Sequence, residues 1–150
     1  MKNTVTFFPK QLSVCLLLCI PAFIFCQTEQ VKLDFSECQV TLNNEILIRI
    51  SPTGDIYDKE GQVVAKIDKE EGMVHKSNRR GFFKIENNEV TDTYGYHVAT
   101  VDSLGQGSTD LLSFRWSEKG ELITNGKKTP ITISPIDTKS YQVVSIFLHL

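Results

Sequence analysis

The sequence predicts an all-β fold in which short antiparallel hairpins close radially into a small barrel-like ring, with no substantial helix in the mature chain. Three observations lead there. One phrase occurs twice, as Ile56–Ile67 and as Val90–Val101, with the shared skeleton apolar-x-Asp-x-x-Gly-x-x-Val-Ala-x-apolar. Tetrads of the form Ser/Asp/Asn-x-x-Gly punctuate the chain at Ser51–Gly54, Asp58–Gly61, Asn78–Gly81, Asp92–Gly95, Asp102–Gly105 and Ser117–Gly120. The short segments between them alternate in period two, as in Ile46-Leu47-Ile48-Arg49-Ile50, whose isoleucines share one face. Strands this close together, with turn signals between them, mean a sandwich, a barrel or a radial repeat.

The chain opens with a stretch that is not expected to join the fold. Lys2 and Lys10 are followed by an almost wholly apolar run, Gln11–Phe25, and polar sequence resumes at Gln27. A basic start, a short apolar run and a polar follow-on read as a secretory signal peptide, residues 1–26. The apolar run is short for a transmembrane helix and contains Pro21. Cys15, Cys19 and Cys26 are preceded by Val14, Leu18 and Phe25, whereas a lipid-anchor cysteine wants a small residue before it. The expected product is therefore an exported, unanchored domain, 27–150, of the periplasm or cell exterior.

About 124 residues suit a single domain with a real core. Loss of the leader lysines takes the formal charge from −2 to −4. Acids and bases are interspersed, which excludes a basic stripe for nucleic acid and a polybasic membrane patch. After cleavage at 26 only Cys38 remains, so the fold does not rest on intrachain disulfides. Between Glu37 and Gln39-Val40, Cys38 reads as a small buried hydrophobe.

Along the domain, strands are expected at Val31–Phe35, Cys38–Leu42, Glu45–Ile50, Asp55–Tyr57, Gln62–Ile67, Met73–His75, Phe82–Ile85, Glu89–Thr91, Tyr96–Val101, Leu111–Trp116, Glu121–Thr124, Thr129–Ile133 and Tyr141–Leu150. Each tetrad matches a type I turn, whose first side chain accepts a local hydrogen bond and whose glycine takes the left-handed region. Asn43-Asn44, Asn87-Asn88 and Asn125-Gly126 add two-residue hairpin turns. Units recur near 54–67, 72–85, 88–101 and 120–133, with a fragment at 38–50. Residues 102–113 read as an insertion forming a mobile loop. Copies related by rotation would line a centre with Ile56, Val64, Ile67, Val74, Ile85, Val90, Val98 and Val101. The apolar tail Val143–Leu148 is expected to pair back and close the ring, because a free edge invites aggregation.

The leader, the domain length and the repeated apolar-x-Asp-x-x-Gly-x-x-Val-Ala-x-apolar phrase resemble the small secreted β-flower proteins, in five-fold and four-fold forms, of Bacteroidetes-like bacteria. The resemblance spans most of residues 44–133. It implies a fold and an export route, and it implies no activity and no functional residue. The phrase is also similar to WG-type hairpin repeats, but the Trp-Gly pair is absent.

The residues offer little chemistry. His75, His97 and His149 lack ligand-type neighbours at metal spacing, and the first two occupy ordinary strand positions. Asp58, Asp92 and Asp102 each bring one carboxylate to a turn, and Ser51, Asn78 and Ser117 fill the same slot, which is capping chemistry and not calcium chemistry. There is no Gly-x-Ser-x-Gly elbow, and Glu70-Glu71 reads as part of a solvated loop. No cofactor or metal is expected. The reading is an exported, non-catalytic envelope module binding a glycan or a protein. An enzyme or enzyme accessory acting on envelope polymers and a small-ligand carrier are the alternatives. The candidate contact residues are Tyr94 and Tyr96, which bracket Gly95 in a turn, and the pair Arg79-Arg80.

Overall fold

The computed structural model describes residues 32–77 and 81–149. The expected leader lies outside them. Twelve strands form one closed antiparallel barrel. They are β1 (Cys38–Leu42), β2 (Glu45–Ile50), β3 (Asp55–Asp58), β4 (Val63–Asp68), β5 (Met73–Lys76), β6 (Gly81–Glu86), β7 (Glu89–Thr91), β8 (His97–Val101), β9 (Gly107–Ser108), β10 (Ser113–Trp116), β11 (Glu121–Thr124) and β12 (Lys127–Ser134). Each strand pairs with the next, and β12 returns to β1 through Val40↔Ile133 and its neighbours. The all-β, radially closed class is therefore what the chain adopts.

The turns work as their residue types require. Asp58 accepts from the Gln62 amide, and Asp102 from the amides of Leu104 and Gln106. In each of the five described tetrads the glycine amide donates back to the carbonyl of the first residue, at 2.9–3.1 Å. Further in, Ile67 donates to Gly54, Ile85 to Gly72, Val101 to Asn88 and Ile133 to Gly120, always at the same separation along the chain.

Because the barrel is an up-and-down meander, alternate turns lie at opposite ends. The two ends differ physically. At one, a Cβ on Gly54, Gly105 or Gly120 would come within 3.0 Å of backbone atoms of Ile67, Tyr141 or Ile133. At the other, Gly61, Gly95 and Gly126 have nothing within 4 Å. The first end is a packed, closed pole. The second is a free rim of projecting turns.

Residues 32–36 cover the closed pole without forming the strand expected at Val31–Phe35. Leu33 and Phe35 are buried, and Lys69 donates to the Phe35 carbonyl at 3.1 Å with its ammonium 3.9 Å from the ring. Ser36 donates to Asp137 at 2.6 Å, and its amide donates to Ser140 at 3.1 Å. Asp137 in turn caps the 3₁₀ turn Thr138–Ser140 through the Lys139 amide.

The tail departs most from the expected strands. Tyr141–His149 is a helix, α1, and not a closing strand. Tyr141, Gln142, Val143, Val144, Ser145 and Ile146 are all buried, so the helix is enclosed on every side. Its partners come from around the barrel: Val101 and Gly105 near β8, Phe114 and Trp116 on β10, and Lys76 on β5. The reason is backbone satisfaction. Since β12 already pairs with β1, the barrel has no open edge for another strand, and a helix satisfies its own N–H and C=O groups when enclosed.

Two smaller expectations also change. Residues 102–113 are not a loose insertion. They contain the Asp102 turn and β9, and they are tied to α1 by Ser145 Oγ donating to the Gly105 carbonyl at 2.8 Å. Ala65 and Ala99, not Val64 and Val98, face the barrel centre, fully buried, because strand alternation aligns them with Ile67 and Val101. Val64 and Val98 are half-buried at the margin of the core.

Candidate functional site

Two surfaces stand out on this scaffold. The first is the free rim. In the turn between β7 and β8, Asp92 Oδ1 accepts from the amides of Tyr94 at 2.9 Å and Tyr96 at 3.0 Å. The turn backbone is thereby satisfied from within, and both tyrosines point outward, 84% and 71% exposed. Thr93 Oγ1 accepts from the Phe82 amide at 3.0 Å, which fastens this turn to the neighbouring hairpin. Arg79 and Arg80 lie outside the described residues. Beneath the turn is a hollow of about 380 Å³ lined by Lys76, Phe82, Phe83, Asp92, Thr93 and His149.

His149 closes that hollow from the end of α1. Its ring stacks on Phe114, with centroids 4.0 Å apart and planes within 8°. Its Nδ1–H donates to the Ser145 carbonyl at 2.9 Å, since a carbonyl can only accept. Burial disfavours the imidazolium and lowers the His149 pKa from its ordinary value.

The second surface is a cleft of about 870 Å³ on the outer wall. Its floor crosses four strands. Ser134 on β12 pairs with Gln39 on β1, Gln39 with Arg49 on β2, and Arg49 with Tyr57 on β3. Consecutive partners in a sheet lie on one face, so hydroxyl, amide, guanidinium and phenol form one lateral row. Glu37 borders one side, and the 58–61 turn the other. Sequence reasoning did not find this row. Arg49 was legible as an outward position in an alternating strand, but the β12–β1 pairing joins residues from opposite ends of the domain.

The titratable groups with shifted pKa values have structural causes. Glu121 is held low first by the hydrogen bond from Lys128 at 2.7 Å, and Asp137 first by the Ser36 hydroxyl. Burial pushes the Cys38 thiol up to about 11, against a lowering hydrogen bond from Ser140. Burial also raises Tyr141. Among the described residues, no group of three or more His, Cys, Asp or Glu side chains could hold a metal ion.

These shifts set a pH profile. Glu121, Asp137 and His149 bind protons less readily when folded, so stability falls as pH falls, below about 6.5 for His149 and below about 4.5 for the carboxylates. Cys38 and Tyr141 hold their protons more tightly when folded, so stability falls as pH rises from about 9 toward 11. Urea midpoints against pH are expected to show a plateau between those limits. His149→Phe, which keeps the stack on Phe114, should remove the shoulder below pH 6.5. A profile unchanged by that substitution would show that His149 does not titrate differently on folding.

Comparison of the chain with protein-family models, with curated proteins and with solved structures finds no match in any of the three.

Proposed function

We propose that this is an exported, non-catalytic binding module of the cell envelope, built as a β-flower from copies of one hairpin unit, and that it holds a glycan strand in the wall cleft. The observation that carries the ligand is the row Ser134–Gln39–Arg49–Tyr57. Sugar rings present alternating hydroxyls at their edges and apolar C–H faces. A half-buried tyrosine supplies a face for the ring, and a neighbouring amide, guanidinium and hydroxyl supply donors and acceptors in one line. The cleft volume falls within the range of small-molecule sites. Carboxylates and cations are mixed along it, with Glu37, Asp58 and Glu60 against Arg49 and Lys59, which suits a neutral ligand better than a charged one.

The constant spacing of the inward hydrogen bonds supports a copied unit. The non-catalytic reading is supported by the shifted groups, each of which is explained by a cap, an ion pair or burial. The basic-then-apolar start at Lys2–Phe25 supports export, and protein recovered outside the cytoplasm should begin at Gln27 by mass spectrometry.

The test is a titration with neutral hexose and N-acetylhexosamine oligosaccharides, followed by calorimetry on the best binder. Tyr57→Ala and Arg49→Ala should each weaken binding by about tenfold, since a good aromatic or charged contact is worth roughly 1–2 kcal/mol. Both are surface positions, so the melting temperature should hardly move. Absence of binding across the panel sinks the glycan reading, and hydrolysis of a bound oligosaccharide sinks the non-catalytic one.

A further inference from the structure

We propose that the free rim docks end-on against a lipid bilayer surface, seating its turn tips in the headgroup region. The proposal does not depend on the glycan cleft, which lies on the wall. It begins with where the exposed apolar side chains are. Leu42, Val63, Tyr94, Tyr96 and Leu111 all sit at rim turns, whereas the closed pole exposes Leu104 and Ile136. Leu111 is 91% exposed, on a turn between two strands that otherwise bury what they can.

The rim turns are also prepared for loss of water. Reaching past the wet headgroups toward the acyl chains is costly for any backbone N–H left without a partner. Here the amides beside the apolar tips are already taken. Asp92 accepts from Tyr94 and Tyr96, Thr109 from Leu111 and Leu112, and Asp58 from Gln62, next to Val63. The amides of Tyr94, Tyr96, Leu111 and Leu112 therefore keep their partners when the side chains insert.

The choice of a bilayer over a protein rests on shape and charge. The tips belong to separate turns around one mouth of the barrel, so they are isolated points and not a continuous face. A bilayer interface accepts separate insertions, and it favours tyrosine, whose ring is apolar and whose hydroxyl stays wet. Strand addition is closed off because the barrel has no free edge. The closed pole is the more acidic end: its lysines are Lys32, Lys69, Lys119 and Lys139, against a larger set of carboxylates that includes Asp68, Glu70, Glu71, Asp102, Glu118 and Asp137. The rim carries both signs, with Lys59, Lys76 and Lys127 against Glu45, Asp58, Glu60, Asp92 and Asp110, while Lys128 is taken up by Glu121. Membrane leaflets are anionic or zwitterionic, so the more acidic pole turns away and the rim is the end that can approach. Attachment then depends on apolar insertion and depends little on salt.

The experiment is flotation of the purified protein with vesicles of phosphatidylcholine, alone and with phosphatidylglycerol. The N-terminus is verified by mass spectrometry, so that every variant carries the same ends. The wild-type protein should float with both vesicle types, and its partition should change by less than about threefold between roughly 0.05 and 0.5 M salt. Tyr94→Ser/Tyr96→Ser/Leu111→Ser should reduce partition by about a thousandfold, at roughly tenfold per withdrawn side chain. Its circular dichroism melt should match the wild type, because all three side chains are already in water. Tyr57→Ala should float like the wild type. The proposal is overturned if the wild-type protein stays unbound, or if the triple variant floats as well as the wild type. It is also overturned if sedimentation shows a rim-dependent dimer that ignores vesicles, which would make a second copy the occupant.

Discussion

Trp116→Ala is expected to cost about 3–5 kcal/mol, and with it about 10–20 °C of melting temperature. Trp116 on β10 is buried and stacks on Tyr141, with centroids 5.2 Å apart. Its Nε1–H donates to Ser145 Oγ at 2.9 Å, and that hydroxyl donates onward to the Gly105 carbonyl at 2.8 Å. One side chain thus packs the barrel wall against α1 and orients a buried hydroxyl. The alanine variant loses the ring's buried area, leaves a cavity and deprives Ser145 of a donor. Trp116→Phe should recover most of the area and lose the hydrogen bond, costing roughly 1–2 kcal/mol. Urea unfolding of both variants measures the difference. Equal costs would show that the hydrogen bond lost in both variants, and not the ring's buried area, carries the effect, and a cost below 1 kcal/mol for alanine would mean that α1 is not tied to the wall through this residue.

Gly105→Ala is expected to destabilise the fold by about 3 kcal/mol, against about 1 kcal/mol for Gly61→Ala. Both glycines have positive φ, +68° and +81°, so each alanine pays a left-handed backbone cost of roughly 1 kcal/mol. They differ in surroundings. A Cβ at Gly61 meets nothing within 4 Å, while one at Gly105 would lie 2.6 Å from the Tyr141 carbonyl carbon and oxygen. Relief requires the 102–106 turn and α1 to separate, and overpacking of that kind costs a further 1–3 kcal/mol. The paired measurement separates backbone strain from packing. Equal effects at the two positions would contradict the distinction between a packed pole and a free rim.

Much of the barrel was legible because its signals are local. Asp92-x-x-Gly95 specifies a turn through one side chain and one left-handed residue, and both lie within the tetrad. Ile46, Ile48 and Ile50 mark one face, but the pairing of Val40 with Ile133 has no counterpart in nearby residues. The tail misled for the same reason. Val143-Val144 and Ile146-Phe147-Leu148 have strand chemistry, and their helical state follows from enclosure, which no window of sequence contains. Tyr94 and Tyr96 were readable as exposed because a turn tip has nowhere to bury a ring. The row from Ser134 to Tyr57 was not, because three strand pairings assemble it.

By itself, then, the amino-acid order determined where the chain turns, which residues cap those turns and that the segments between them are strands. Each depends on interactions spanning a few residues. Tertiary structure decided that β12 meets β1, that the tail fills the barrel as a helix, and that one end is packed while the other is free. Those outcomes depend on which hydrogen-bonding edges remain once the ring has closed, and that quantity exists only for the assembled barrel.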